Sequence, residues 1–248
     1  MILRRFMKHV SDQNWFAVGL DAIVVITGIF VGMQVSEWNE GRKDSALEQV
    51  YLERLLQDFT KNVATLDRLA GFQAGIRKDV NKVASFLALD KWNESEHDKV
   101  KKQRMLWAAL PFADLQTGAW DELVASGRLV LIENDGLRSQ LQQAAASNIA
   151  AEGQMSHIRN EIEIATRDFN DYMTLRRADD GELFLTPNFK PVFGNEDVVK
   201  NLLVTASLQG RAFSIRSGQA TLNREVLQHL NCLLKATICE AEGKSTTE

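Results

Sequence analysis

The sequence predicts an all-α protein, with one N-terminal transmembrane helix followed by an antiparallel bundle of long helices. Three observations carry that expectation. Residues 15–35 form an unbroken apolar stretch with a single ionisable side chain, Asp21. Downstream, apolar residues recur at steps of three and four over long runs, the period of a helix that buries one face. Only three prolines, Pro111, Pro187 and Pro191, interrupt 248 residues rich in Ala, Leu, Glu, Gln, Lys and Arg, the residues that cost a helix least.

The wider composition narrows the class of partner. Hydrophobic residues at 45% and charged residues at 25% are ordinary for a folded protein, and a mean hydropathy of −0.21 averages away the local apolar span. The net charge of −4 and pI near 5.7 disfavour nucleic-acid binding, because phosphate neutralisation needs clustered Lys and Arg in excess.

At 1.5 Å per residue the stretch 15–35 is about 30 Å long, the thickness of one hydrocarbon core. Trp15 and Trp38 bracket it and are expected to anchor the two water–lipid boundaries, where an apolar ring with a polar N–H is favoured. A cleaved signal peptide is the rival reading, with Arg4, Arg5 and Lys8 as a basic flank. However, residues 34–40 read Gln-Val-Ser-Glu-Trp-Asn-Glu, bulky or charged where a peptidase needs small side chains, so an uncleaved anchor is expected. The basic flank exceeds Arg42 and Lys43 by a small margin, which predicts a cytoplasmic tail at 1–14 and a domain at 36–242 on the far side. In a bacterium with two membranes that places the domain in the periplasm, with the protein in the inner membrane.

Asp21, Gly28 and Gly32 fall on one helical stripe within about 20°, and Val25 lies on the same stripe. The Gly28-x-x-x-Gly32 spacing lets two membrane helices approach closely, and Asp21 is costly facing lipid. This predicts a helix–helix contact, either in a homo-oligomer or with a membrane protein partner. The plainer alternative has Asp21 near the interface, reaching water.

Beyond the span, Leu47, Tyr51, Leu55, Phe59, Val63, Leu66, Leu69, Phe72, Ile76, Val80, Val83 and Phe86 continue a helical stripe to about residue 89, with a kink conceivable at Gly71 or Gly75. Arg54, Asp58, Lys61 and Arg68 read as a solvated face. Residues 90–96 read as a loop and 96–110 as a second helix stopped by Pro111. Thr117 is expected to cap a short helix that ends at Gly127 in the left-handed conformation, before an apolar run at 129–132 that is either extended or a core plug. The next stripe runs from Leu137 through Leu141, Ala144, Ile149, Met155, Ile158 and Ile162 to Phe169 and Met173. Residues 181–194 read as an ordered loop whose aromatics pack on the bundle. Residues 195–241 supply one or two more helices, followed by a polar tail at 243–248.

Cys232 and Cys239 are seven residues apart. In an intact helix their Cα atoms stand about 10 Å apart, too far to bridge each other, so unpaired thiols are expected, with an intermolecular disulfide in a parallel oligomer as the alternative. The search for chemistry finds no site. His157/Glu161 and Glu225/His229 share helical faces, and Glu94-x-x-His97 has the spacing of a di-metal bundle motif, but that motif needs two copies and further glutamates. Neither a phosphate loop nor a nucleophile elbow, zinc-protease helix or CxxC pair is present. The expectation is a protein without enzymatic activity, cofactor or metal.

Two segments carry a resemblance. The first comprises Asn14-Trp15-Phe16, Asp21, Gly28, Gly32, Gln34-Val35, Trp38-Asn39-Glu40 and Arg42. The second comprises Thr117, Trp120-Asp121-Glu122-Leu123, Ser126-Gly127, Leu129, Leu131-Ile132, Asp135 and Leu137-Arg138. Together they resemble a bacterial family of uncharacterised single-pass membrane proteins with an NWF…D…G…QV..WNE.R anchor and a helical extracytoplasmic domain. The resemblance covers about fifty positions and implies topology, with no activity attached. Two functions fit these expectations: a membrane-anchored scaffold or interaction module, and an extracytoplasmic sensory or ligand-binding bundle acting through a membrane partner.

Overall fold

The computed structural model describes residues 15–101, 106–177, 181 and 183–235. The expected tails at 1–14 and 243–248, and Cys239, lie outside the described residues. Five α-helices are described: α1 (Trp15–Leu87), α2 (Glu94–Val100), α3 (Gly118–Ala125), α4 (Asp135–Thr166) and α5 (Glu196–Lys235), with a two-stranded antiparallel sheet of β1 (Met173–Arg177) and β2 (Leu183–Pro187) between α4 and α5. The fold is all-α, as the periodicity predicts.

The chain forms two compact units, residues 1–50 and 51–248. In the first, the described residues belong to α1, which is helical from Trp15 onward. One stretch of α1 is long and apolar enough to cross a membrane.

In the second unit, the order of contacts defines an antiparallel arrangement. Along α1, Asp67 accepts two 2.9 Å hydrogen bonds from Arg224 of α5, while Arg77 further along lies against Gly210, earlier in α5. Gln140 and Asn148 of α4 meet His229 and Gln219 of α5 in the same reversed sense. The expected stripe on α1 is the buried one: Tyr51, Leu55, Phe59, Leu66, Leu69, Ile76, Val80, Val83 and Phe86 are all in the core. Each fully buried aliphatic side chain contributes about 1.5–3 kcal/mol through removal from water. Helical assignment continues through Gly71 and Gly75.

Short elements close the ends of this core. Thr117 precedes α3, but its hydroxyl donates to Asp121 rather than capping the backbone. The N-terminus of α3 is held instead by Asp58 of α1, which accepts the Ala119 N–H at 3.1 Å. Gly127 ends the helix at φ +69°, as expected, since only glycine enters that region without steric cost. The apolar run passes through a 3₁₀ turn at Arg128–Leu131 and then Ile132, in extended conformation and fully buried, plugs the core. Asn134 caps α4 by accepting the Leu137 N–H at 2.8 Å.

Several local expectations are corrected. Helix α2 occupies Glu94–Val100, so Glu94 and His97 are helical and residues 106–110 are not. Trp107 and Leu110 are nevertheless buried, and the Gln209 side chain donates to the carbonyls of Trp107 and Ala109 at 2.9 and 3.3 Å. These bonds supply the backbone partners that a helix would otherwise provide. Helix α4 ends at Thr166, and Met173 opens β1 rather than a further helical turn. Ile149 is exposed on α4. In the segment read as a loop, residues 183–187 pair with β1, whereas Phe189 is buried and Phe193 packs on the same core cluster. Residues 196–235 form one helix.

Cys232 is disulfide-bonded, which corrects the expectation of an unpaired thiol. That expectation placed both cysteines in one intact helix; α5 is described to Lys235, and Cys239 lies outside the described residues.

Candidate functional site: the exposed face of the apolar helix

Four consecutive aliphatic residues, Ile23, Val24, Val25 and Ile26, point about 100° apart around α1. They are 62%, 63%, 60% and 65% exposed. No face of the helix is therefore covered at this level. Further along, Ile29, Phe30, Val31, Met33 and Val35 are also exposed.

Within this apolar surface, Asp21, Gly28 and Gly32 are all exposed, on the stripe that the spacing defines. A Cβ placed at Gly28 or Gly32 would meet nothing within 4 Å, so neither glycine is required by packing in this chain. Trp38 is 66% exposed, with the Arg42 guanidinium 5.3 Å from its ring centroid. That pairing of an amphipathic ring with a cation suits a headgroup boundary. Trp15 is the first described residue of α1.

The remaining polar groups of the second unit are mostly committed to structure. Arg54 and Asp58 do not form a simple solvated face. Arg54 donates to Glu122 at 2.7 Å, Tyr51 donates its hydroxyl to the same carboxylate at 2.8 Å, and Asp58 holds α3. The Tyr51 hydrogen bond and then the Arg54 guanidinium hold the Glu122 carboxyl below the usual carboxylate range, and the Glu122 bond raises Arg54.

Between α4 and α5 lies a polar layer. Arg216 is completely buried and donates to Glu152 and Gln219, and Asn148 accepts from Gln219 and Asn223. Periodicity alone places Arg216 on a helix without marking it as buried, and sequence reasoning missed it.

Glu94, His97 and Asp98 bring possible metal-ligating atoms within 4.8 Å of one another. Each already has another role. Trp92 donates to Glu94 at 2.6 Å and holds its carboxyl low, Asp98 pairs with Lys101, and the His97 ring sits against Phe86 and Trp92. We assign no ion to this trio. His157–Glu161 at 4.0 Å is an exposed pair on α4.

Sequence reasoning also missed a groove of about 950 Å³ beside the last turns of α1, bordered by α2 and α5. Its signal was present in the spacing of Ala74, Arg77, Lys78, Asn81, Lys82 and Ser85, which share one helical face. Comparison with protein-family models, curated proteins and solved structures finds no match to this chain.

Proposed function

We propose that this chain is a single-pass membrane protein whose residues 15–35 span the bilayer, with the N-terminus cytoplasmic, and which carries a helical interaction module outside the cytoplasm. The observation that carries the reading is the exposure of Ile23, Val24, Val25 and Ile26 on every side of α1. Each exposed methylene left in water forgoes about 0.8 kcal/mol, whereas lipid covers all faces at once. The chain acts as a scaffold, its spanning helix contacting a second copy or a membrane partner through the Asp21–Gly28–Gly32 stripe. The disulfide at Cys232 supports the orientation, because disulfides persist in oxidising compartments such as a periplasm. The resemblance to the bacterial single-pass family fits the same topology.

The test is a compartment-sensitive reporter fused after Glu248, combined with carbonate extraction and a mass measurement of the mature chain. Retention in the membrane, an extracytoplasmic reporter and an unprocessed N-terminus are expected. Carbonate release or N-terminal cleavage would overturn the anchor, and a cytoplasmic reporter would overturn the orientation. A second reading, a ligand-binding bundle, is favoured by the groove beside α1.

A further inference from the structure

The groove runs along α1 from Ala74 to Phe86, a length of about 18 Å at 1.5 Å per residue, and continues to Leu89 just beyond the end of the helix. Its chemistry is divided. Arg77, Lys78, Lys82 and Lys99 supply four cations, against one lining carboxylate, Glu96. Lys99 pairs with Glu96 at 2.6 Å and Lys82 lies 3.8 Å from Asp79, whereas among the described residues Arg77 and Lys78 form no ion pair. Arg77 lies across Gly210, where an added Cβ would come within 3.3 Å of its guanidinium carbon. A side chain at position 210 would therefore crowd that guanidinium. The apolar part of the lining comes from Phe86, Leu89 and Val100, with Phe213 opposite on α5. Phe213 is 37% exposed, an aromatic left partly uncovered where the groove lies.

We infer that this groove binds a single-chain anionic amphiphile, its acid group held by Arg77 and Lys78 and its alkyl chain laid along Phe86, Leu89 and Phe213. Charge complementarity selects the anion and the apolar wall selects the tail. The groove offers about 950 Å³, within the range of small-ligand sites. The inference takes up the second functional reading and does not depend on the contact made by the transmembrane stripe.

The experiment labels native membranes containing the full-length chain with a diazirine derivative of palmitate, then locates the cross-links by mass spectrometry. Labels on residues 19–35 report bulk lipid and serve as an internal control for anchoring. Labels on residues 74–89 and around Phe213 report the groove. These groove labels should fall at least tenfold in Arg77→Glu/Lys78→Glu and in Phe213→Asp, with labelling of residues 19–35 unchanged. Unlabelled palmitate or a lysophosphatidic acid should compete, and the more potent of the two identifies the head group as carboxylate or phosphate. Wild-type groove labelling that is absent, or that both variants retain, would overturn the proposal. So would competition by hexadecanol equal to that of palmitate, which would remove the need for charge, or competition by inorganic phosphate, which would remove the need for a tail. Any of these failures, with residues 19–35 still labelled, would leave the anchor reading standing.

Discussion

Arg216 of α5 and Glu152 of α4 meet at 2.5 Å, with the arginine side chain wholly enclosed and the glutamate one-third exposed. Gln219 accepts a second hydrogen bond from the guanidinium at 2.8 Å. The geometry satisfies much of a charge that would otherwise be prohibitive in a core.

Removing one partner should therefore cost far more than removing both. Glu152→Ala strands the guanidinium and is expected to destabilise the chain by about 3 kcal/mol, whereas Glu152→Leu/Arg216→Met should come within about 1 kcal/mol of the wild type. Thermal unfolding of the full chain in lipid nanodiscs checks this; equal losses in the single and double variants would contradict it.

Glu122 gives a pH-dependent signature. Its carboxyl is held low in the folded protein by the Tyr51 hydroxyl and then by Arg54, so the folded state favours the ionised form. The resulting stability is fully present above the ordinary glutamate value, about 4.3, and is lost as pH falls through the lower folded value. The melting-temperature gap between wild type and Glu122→Gln should be open at neutral pH and narrow on acidification below about 4. A gap that widens on acidification would contradict the assignment.

Asn62 acts as a clamp. Its amide donates to the Gln116 carbonyl at 2.9 Å and accepts the Gln116 N–H at 2.7 Å, closing a two-bond ring just before α3. Asn62→Leu leaves both backbone groups without that partner, at about 1–3 kcal/mol. Hydrogen exchange at the Gln116 amide should accelerate, whereas the α4 amides near Ile158 should be much less affected. Unchanged Gln116 exchange would show that the ring contributes nothing.

In the membrane, Asp21→Leu and Gly32→Leu should each weaken association of the apolar helix by about tenfold, corresponding to roughly 1.4 kcal/mol, within the range of polar and small-residue contacts. Ile23→Leu, on the opposite face, should leave it unchanged. Energy transfer between labelled chains in vesicles provides the readout, and identical association in all four proteins would exclude the stripe as an interface.

What the sequence made legible follows from the range of the interactions involved. The α1 stripe and Gly127 depend on residues within a few positions, and each appears as expected. The 106–110 segment escaped because Gln209, about a hundred positions away, satisfies its carbonyls. Met173 lies four residues after Phe169 and so mimicked a helical stripe. Its pairing across the hairpin with Pro187 is a tertiary fact. The Asp21–Gly28–Gly32 stripe was legible as a pattern, because it depends on spacing alone. Of the groove, only the α1 wall was legible, as one helical face; its other walls come from α2 and α5, far away in sequence.

The polar rungs between α4 and α5 have a mechanical consequence. Gln140–His229, Asn148–Gln219 and Glu152–Arg216 occur in sequence along the two helices. Sliding one helix past the other by a single turn, about 5.4 Å, would break all three pairings together and leave Arg216 without its carboxylate. The pair consequently behaves as a strut, carrying a push or pull at one end to the other instead of absorbing it as slip.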